Sequence, residues 1–241
     1  MPVGAANGLR PRNDPGQYDE LVDEWWRPRG AFVMLHWIAA ARAALVPPAG
    51  RPGAVLLDIG CGGGLLAPHV AAKGYRHVGV DLTASAARRA AAATVAAVQA
   101  DAARLPFADE VADVVVAGEL LEHVGDPDRV LAEAIRVLRH GGRLVIDTIA
   151  DTWWGRFSAI TVGERMPAGP PPRLHDGGLF IDRKRLRSQA ARHGVPLTLR
   201  GLRLSVPSYL GWLVGRRAEA RMVSTWTTAG LFQAYGVKMP V

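Results

Sequence analysis

"VLLDIGCGGG", Val55–Gly64, decides the fold. It is an uninterrupted apolar run closed by an aspartate and a cluster of glycines. A strand buried on both faces reads as a continuous stretch of Val, Ile and Leu, not as an alternation. Glycines directly after such a strand let the backbone turn tightly and approach a ligand closely, because they carry no Cβ. No lysine follows them, which excludes a phosphate-cradling P-loop.

Downstream the same rhythm repeats. "GLLAPHVAAKG" reads as a helix ended by glycine, "HVGVDL" as a second strand, and "TASAARRAAAATV" as a helix with Thr83 or Ser85 as its cap. "AAVQADAA" and "VADVVVAG" supply a third and a fourth strand. "DPDRVLAEAIRVLRHGG" is an amphipathic helix with Val130, Leu131, Ile135 and Leu138 on its apolar side, closed by Gly141 and Gly142. "RLVIDTI" is a fifth strand; "LTLRGLRLSV" and "AGLFQAYGVK" follow the helical "FIDRKRLRSQAARHG". Alternation at this spacing predicts an α/β, Rossmann-like, doubly wound and mostly parallel sheet of about seven strands.

Upstream, "YDELVDEWWRPRGAFVMLHWIAAARAALV" is a helical stretch interrupted near Pro28-Arg29-Gly30. We read it as an N-terminal helical cap over 17–46, joined through "PPAGRPG" to the main domain, 53–241, with packing as the default role for Trp25 and Trp26. Residues 1–16, rich in Pro, Gly and Asn, are expected to form a flexible tail. Between Asp151 and Asp176 the rhythm breaks in an aromatic and Pro-rich insertion, too long for an ordinary connection in such a sheet. Following a strand's C-terminal end, this lid (151–178) would sit over the ligand crevice.

The net charge of +7 raises nucleic acid as a partner, but arginines are scattered along the whole chain. No paired Cys/His finger or aromatic-rich RNA-binding strand is present, so no nucleic-acid partner is expected. A single cysteine, Cys61, excludes a disulfide framework and a Cys-rich zinc site. The N-terminus lacks an apolar targeting core and no stretch reaches membrane-span length, which predicts a cytoplasmic protein.

Three acids mark a nucleoside site. Asp58 precedes the glycines, Asp81-Leu82 closes the second strand, and Asp101-Ala102 ends the third. An acid at the end of the second strand can accept both hydroxyls of a ribose, and Asp101 would meet an adenine edge. The nicotinamide dinucleotide fingerprint G-x-G-x-x-G is not completed, because Leu65 and Leu66 follow Gly64. S-adenosylmethionine is therefore favoured over NAD.

"GELLEHVGDP", Gly118–Pro127, follows the fourth strand. On a helix, Glu119, Glu122 and His123 would share one face, beside the crevice. Two carboxylates and an imidazole suit Mg or Mn. The plainer alternative is a polar helix start, where acids favour exposed amides.

"VLLDIGCGGG", Asp81, "DAARLPF" and "LRHGGRLVI" together resemble the class I S-adenosylmethionine-dependent methyltransferases. "WWRPRGAFVMLHWIAAAR", "GELLEHVGDP" and "RLHDGGLFIDRKRL" are similar, more narrowly, to the ubiquinone-biosynthesis O-methyltransferases, which methylate polyprenylated catechols and phenols. The resemblance implies cofactor contacts from Arg42, Gly60, Asp81 and the main chain near Gly118, with Gly62 in the same loop. It also implies a divalent metal on the E-x-x-E-H segment. Gly118 replaces a bulkier apolar residue of that family, Leu174 replaces its threonine before His175-Asp176, and the likeness weakens beyond residue 200.

The expected reaction is O-methylation of a phenolic or catecholic small molecule, with a polyprenyl quinone precursor as the acceptor the resemblance implies. Methylation of an aromatic secondary metabolite at O, N or C is the alternative. Should a separate base act, His175 and His36 are candidates. Trp153, Trp154, Phe157 and Ile160 would cover the acceptor, or meet the inner face of the cell membrane with Arg156 and Arg165.

Overall fold

The computed structural model describes residues 11–240. Eight strands form one sheet in the order β3-β2-β1-β4-β5-β8-β6-β7. They are β1 (Val55–Ile59), β2 (Arg76–Asp81), β3 (Ala96–Gln99), β4 (Ala112–Gly118), β5 (Leu138–Ile149), β6 (Thr198–Leu204), β7 (Met222–Thr225) and β8 (Leu231–Val237). The first five are parallel to one another; β8, β6 and β7 extend the sheet antiparallel from β5. One more strand is thus present than the sequence suggested. β7 is only four residues long and carries little pattern of its own.

The apolar runs are explained by two covered faces. Val114 and Val116 of β4, with Leu56 and Val145, pack toward Ala43, Val46, Leu66 and Val70. Their neighbours Val115, Ala117, Leu57 and Ile146 pack toward Val130, Leu131, Ala134 and Ile135 of helix α5 (Pro127–Val137) and toward Leu186 of helix α7 (Arg183–Arg192). Burying each such side chain stabilises the fold by roughly 1.5–3 kcal/mol.

Half of the α-helices among the described residues begin at a side-chain cap. Thr83 accepts from the Ala86 amide to open α4 (Ala84–Ala92), Asp126 caps α5 (Pro127–Val137), and Asp182 caps α7 (Arg183–Arg192). Gly74, at φ 82°, ends the turn that follows α3 (Ala67–Val70). The N-terminal cap is α1 (Gly16–Glu20), a 3-10 turn at Val22–Glu24 and α2 (Val33–Ala43), with the break where the proline predicted it.

One expectation is corrected, and one element is added. Residues 1–10 of the expected tail lie outside the described residues, but 11–16 are held against the lid. Asn13 N donates to the Arg173 carbonyl, and Arg12 reaches Glu164 and the His175 carbonyl. The lid begins as α6 (Trp153–Arg156), continues as a π-helical turn over Phe157–Val162 and only then enters its Pro-rich half. Helix α8 (Val206–Leu213), with Pro207 in its first turn, was not anticipated. Among the described residues no helix is long and apolar enough to cross a membrane.

Candidate active site

From β1 the chain winds one way to β2 and β3, then returns to β4 on the other side of β1. Such a switch point opens a crevice beyond the strands' C-terminal ends. A cavity of about 710 Å³ lies there. Every residue expected to hold the cofactor lines it: Arg42, Asp58, Gly60, Gly62, Asp81, Leu82, Asp101, Ala102 and Gly118.

The loop glycines are required by conformation and by space. Gly60 and Gly62 have φ of 69° and 50°, where an L side chain is strained. A Cβ at Gly62 would lie 2.5 Å from the Trp25 ring. Trp25 is buried in a stack with Phe32, 4.2 Å between centroids, and Trp26 Nε1 donates to the Gly63 carbonyl. Both tryptophans therefore clamp the loop.

Asp81 is oriented before any ligand arrives. Its Oδ2 accepts from Gly62 N at 2.9 Å, and its Oδ1 accepts from Thr83 N and Thr83 Oγ1. Burial outweighs these hydrogen bonds and lifts its carboxyl above the usual range. Arg42 is buried and forks onto Asp147, with Nε and Nη2 at 2.6 and 2.7 Å from the two carboxylate oxygens.

Glu119, His123 and His175 line the same cavity, whereas Glu122 is buried just behind it. The expected single helical face is not formed. Glu119 sits at the end of β4 with φ of 50°, in the left-handed region, while Glu122 and His123 belong to a 3-10 turn at Leu121–His123. Strand end and turn project differently, and among the described residues no three His, Cys, Asp or Glu side chains gather into a metal-holding group. Leu121 packs into the core, whereas Leu120 turns onto Gly60 and lines the cavity.

These groups are nonetheless tuned. Burial, then Glu122 and Asp147, push Glu119 well above the usual carboxylate range. Burial also raises Glu122 to about 8, although its Oε2 accepts from Thr148 Oγ1 at 2.7 Å. Each of these glutamates keeps an Oε1 that is buried and unpartnered. Burial and the neighbouring His175 lower His123 to about 3, so its ring is neutral at pH 7. His175 stacks on His123 at 5.5 Å between centroids. His36 is not part of the site: its Nε2 bonds the Trp25 carbonyl at 2.8 Å.

Several residues of the site carry no motif. Glu164, in the lid, accepts from Arg12 and from the amides of Arg173 and His175. Tyr18 lines the cavity and approaches His123 edge-on at 6.2 Å. The same cavity is also walled by Trp154, Val162, Met166, Leu202, Leu204 and Met222, with Arg203, Thr225 and Thr227 among them. Leu202, Leu204 and Met222 come from β6 and β7, beyond residue 200, where the likeness to the family weakens and no motif marks them.

Known proteins fit this arrangement. Residues 57–146 match the family model described as a methyltransferase domain. The ubiquinone biosynthesis O-methyltransferase of Cupriavidus pinatubonensis is 31% identical over 217 residues, covering 84% of this chain and 86% of that protein. The enzyme of the same name from Ralstonia nicotianae is 34% identical over 207 residues, 78% of this chain and 84% of its own. Among solved structures, a SAM-dependent methyltransferase of Thermotoga maritima, described as a possible histamine N-methyltransferase, superposes with a TM-score of 0.63. It covers 92% of this chain and 96% of that one at 20% identity, a likeness of fold alone. By sequence, sheet order and the cavity at its switch point, the chain belongs to the S-adenosylmethionine-dependent methyltransferases, in the family of the ubiquinone biosynthesis O-methyltransferases.

Proposed function

We propose that this methyltransferase transfers its methyl group to a phenolic or catecholic oxygen on an acceptor with a long apolar tail, such as a polyprenylated quinone precursor. One observation carries the reading: the cavity lined by the glycine loop, Glu119, His123 and His175 is also walled by Trp154, Leu202, Leu204 and Met222. With only Arg203, Thr225 and Thr227 as polar neighbours from the same strands and the connection after them, these apolar walls suit a greasy tail better than a sugar or nucleotide. The relatives named ubiquinone biosynthesis O-methyltransferase agree with it.

Asp81, already oriented by Gly62 and Thr83, would accept the ribose hydroxyls; Gly60 and Gly62 would let the nucleoside approach the backbone; Asp58, Leu82, Asp101, Ala102 and Gly118 complete that half. Arg42, held by Asp147, would meet the donor's carboxylate. In the reaction the acceptor oxygen attacks the methyl carbon in line, the sulfur–carbon bond breaks, and S-adenosylhomocysteine leaves. A phenol of pKa near 10 is ionised in only about one molecule per thousand at pH 7. We assign the acceptor's proton to His175, and its alignment to the walls of the cavity, which can supply several kcal/mol.

The expected metal set is only partly built. Glu119 and Glu122 act on each other and each keeps an unpartnered Oε1, and pairing buried acids without a cation is costly. These two are the residues that would hold Mg or Mn; His123, which feels His175 rather than the acids, does not join them in a three-ligand group. Once bound, such an ion supplies Lewis-acid stabilisation of the phenolate. The exposed Trp153, Trp154 and Val162 at the lid support a further reading, peripheral contact with a membrane that holds the acceptor.

The test is direct. Labelled S-adenosylmethionine is incubated with a panel of catechols and phenols, prenylated and not. Transfer favouring the prenylated members is expected, and labelling of amines alone would overturn the reading.

A further inference from the structure

The segment that composition marks as a tail supplies a side chain to the site. Asn13 grips His123 at two points: Nδ2 donates to the His123 carbonyl at 2.9 Å, and Oδ1 lies 2.6 Å from its ring Nδ1. The two contacts define each other. A carbonyl oxygen can only accept, so the amide nitrogen of Asn13 must face it and the amide oxygen must face the ring. That oxygen too can only accept, so the ring Nδ1 carries the hydrogen. In a neutral imidazole the lone pair then belongs to Nε2.

Asn13 is itself fixed on both sides. Its backbone amide donates to the Arg173 carbonyl, Arg12 bonds Glu164 and the His175 carbonyl, and Gln17 Nε2 bonds the Pro172 carbonyl. The strap therefore ties lid, His123 and N-terminus into one unit. Asn13 has φ of 57°, a conformation that asparagine and aspartate tolerate better than other side chains.

We propose that Asn13 is a positioning residue that locks His123 in its Nδ1–H tautomer, so that Nε2 is the donor atom His123 presents in the methyl-transfer site. The role of that lone pair rests on the reading above only in taking this cavity as the site of methyl transfer; the tautomer itself does not. A partner held on one ring nitrogen fixes which nitrogen faces the site.

The experiment uses the full chain, free of metal and saturated with S-adenosylhomocysteine, with nitrogen-15 in the histidine rings and His123→Gln to assign the signals. The wild type should show His123 with hydrogen on Nδ1. Asn13→Ala should lose that preference and lower kcat about 10- to 100-fold, with S-adenosylhomocysteine Kd changed by less than about twofold. Asn13→Asp keeps the acceptor oxygen but loses the donor to the His123 carbonyl, so it should restore the tautomer and only part of kcat, which a merely structural contact would not do. Hydrogen on Nε2 in the wild type overturns the lock, as do Asn13→Ala spectra identical to wild type. A lost tautomer with unchanged kcat overturns the positioning role. If the wild type methylated no phenol, the functional reading would fall, and the ring spectra would still decide the lock.

Discussion

Gly118 and Arg42 share one volume: a Cβ added at Gly118 would lie 1.8 Å from Arg42 Cζ. The glycine that departs from the family pattern is the gap through which the guanidinium passes to reach Asp147. Gly118→Ala should therefore push Arg42 off Asp147. Breaking a buried, forked ion pair while leaving one charge behind costs about 3–5 kcal/mol. A drop of that order in urea-derived stability is expected, together with weaker S-adenosylhomocysteine binding by calorimetry. Unchanged values for both would show that Arg42 has another way round.

Glu122 sets stability against function. Its carboxyl is raised by burial to about 8, so the folded state holds a proton that the unfolded chain releases near pH 4.5. The stabilisation is complete below that unfolded value and is lost as pH rises through 8. Metal-free protein should lose stability between pH 5 and 8. Glu122→Gln, which keeps a partner for Thr148, should flatten that slope and raise Tm at pH 8. The same variant should lose methyl transfer, at least about 100-fold if the cation reading holds. Full activity in Glu122→Gln and in wild type treated with EDTA would remove the cation from the mechanism.

Glu164 has the opposite sign. Burial raises its carboxyl, but the neighbouring His175 ring, the Arg173 and His175 amides and the Arg12 charge outweigh that and hold it at about 2. Its stabilisation is present above the unfolded value near 4.5 and disappears as pH falls toward 2. His123, lowered to about 3, loses stability over a window that starts higher, from about pH 6.5 downward. Glu164→Gln should lower stability at pH above 4.5, move the acid-unfolding midpoint to higher pH and leave a shallower slope below 4.5. Far-ultraviolet circular dichroism against pH reads this, and superimposable curves would show that the strap gains nothing from Glu164.

These predictions separate what the chain declares from what only packing creates. The five parallel strands and the glycine loop were legible because Leu56, Leu57, Ile59 and Val114–Val116 are buried on both faces, which forces a continuous apolar run. Asp81 was legible because it closes a strand at the switch point. Glu119 was placed on the wrong element, since a single left-handed residue at a strand end leaves no mark in composition or periodicity. Glu164 and Asn13 were invisible for a different reason. Their partners lie across long loops, Asn13 to His123 over a separation of 110 residues, and a polar side chain that ties two such loops follows no local pattern. β7 and α8 were missed because a four-residue edge strand and a short helix with exposed Val206 and Leu210 carry almost no amphipathic signal.

The lid separates the two ways an apolar acceptor could arrive. Trp153 is 72% exposed and stacks on Phe157 at 5.2 Å, Trp154 is 48% exposed, and Trp226 on the β7–β8 connection is fully exposed. Trp154 also lines the cavity, whereas Trp153 and Trp226 do not. Trp153→Ala with Trp226→Ala leaves the cavity wall intact while removing two large aromatic faces, so a purely internal role predicts no effect on either substrate. If the lid meets lipid, the double variant should pellet less with vesicles containing anionic phospholipid. It should also raise KM several-fold for a prenylated catechol presented in those vesicles, with KM for a soluble catechol unchanged. Trp154→Ala should instead raise KM for both. Equal pelleting of wild type and double variant would assign the exposed tryptophans to the lid's own packing.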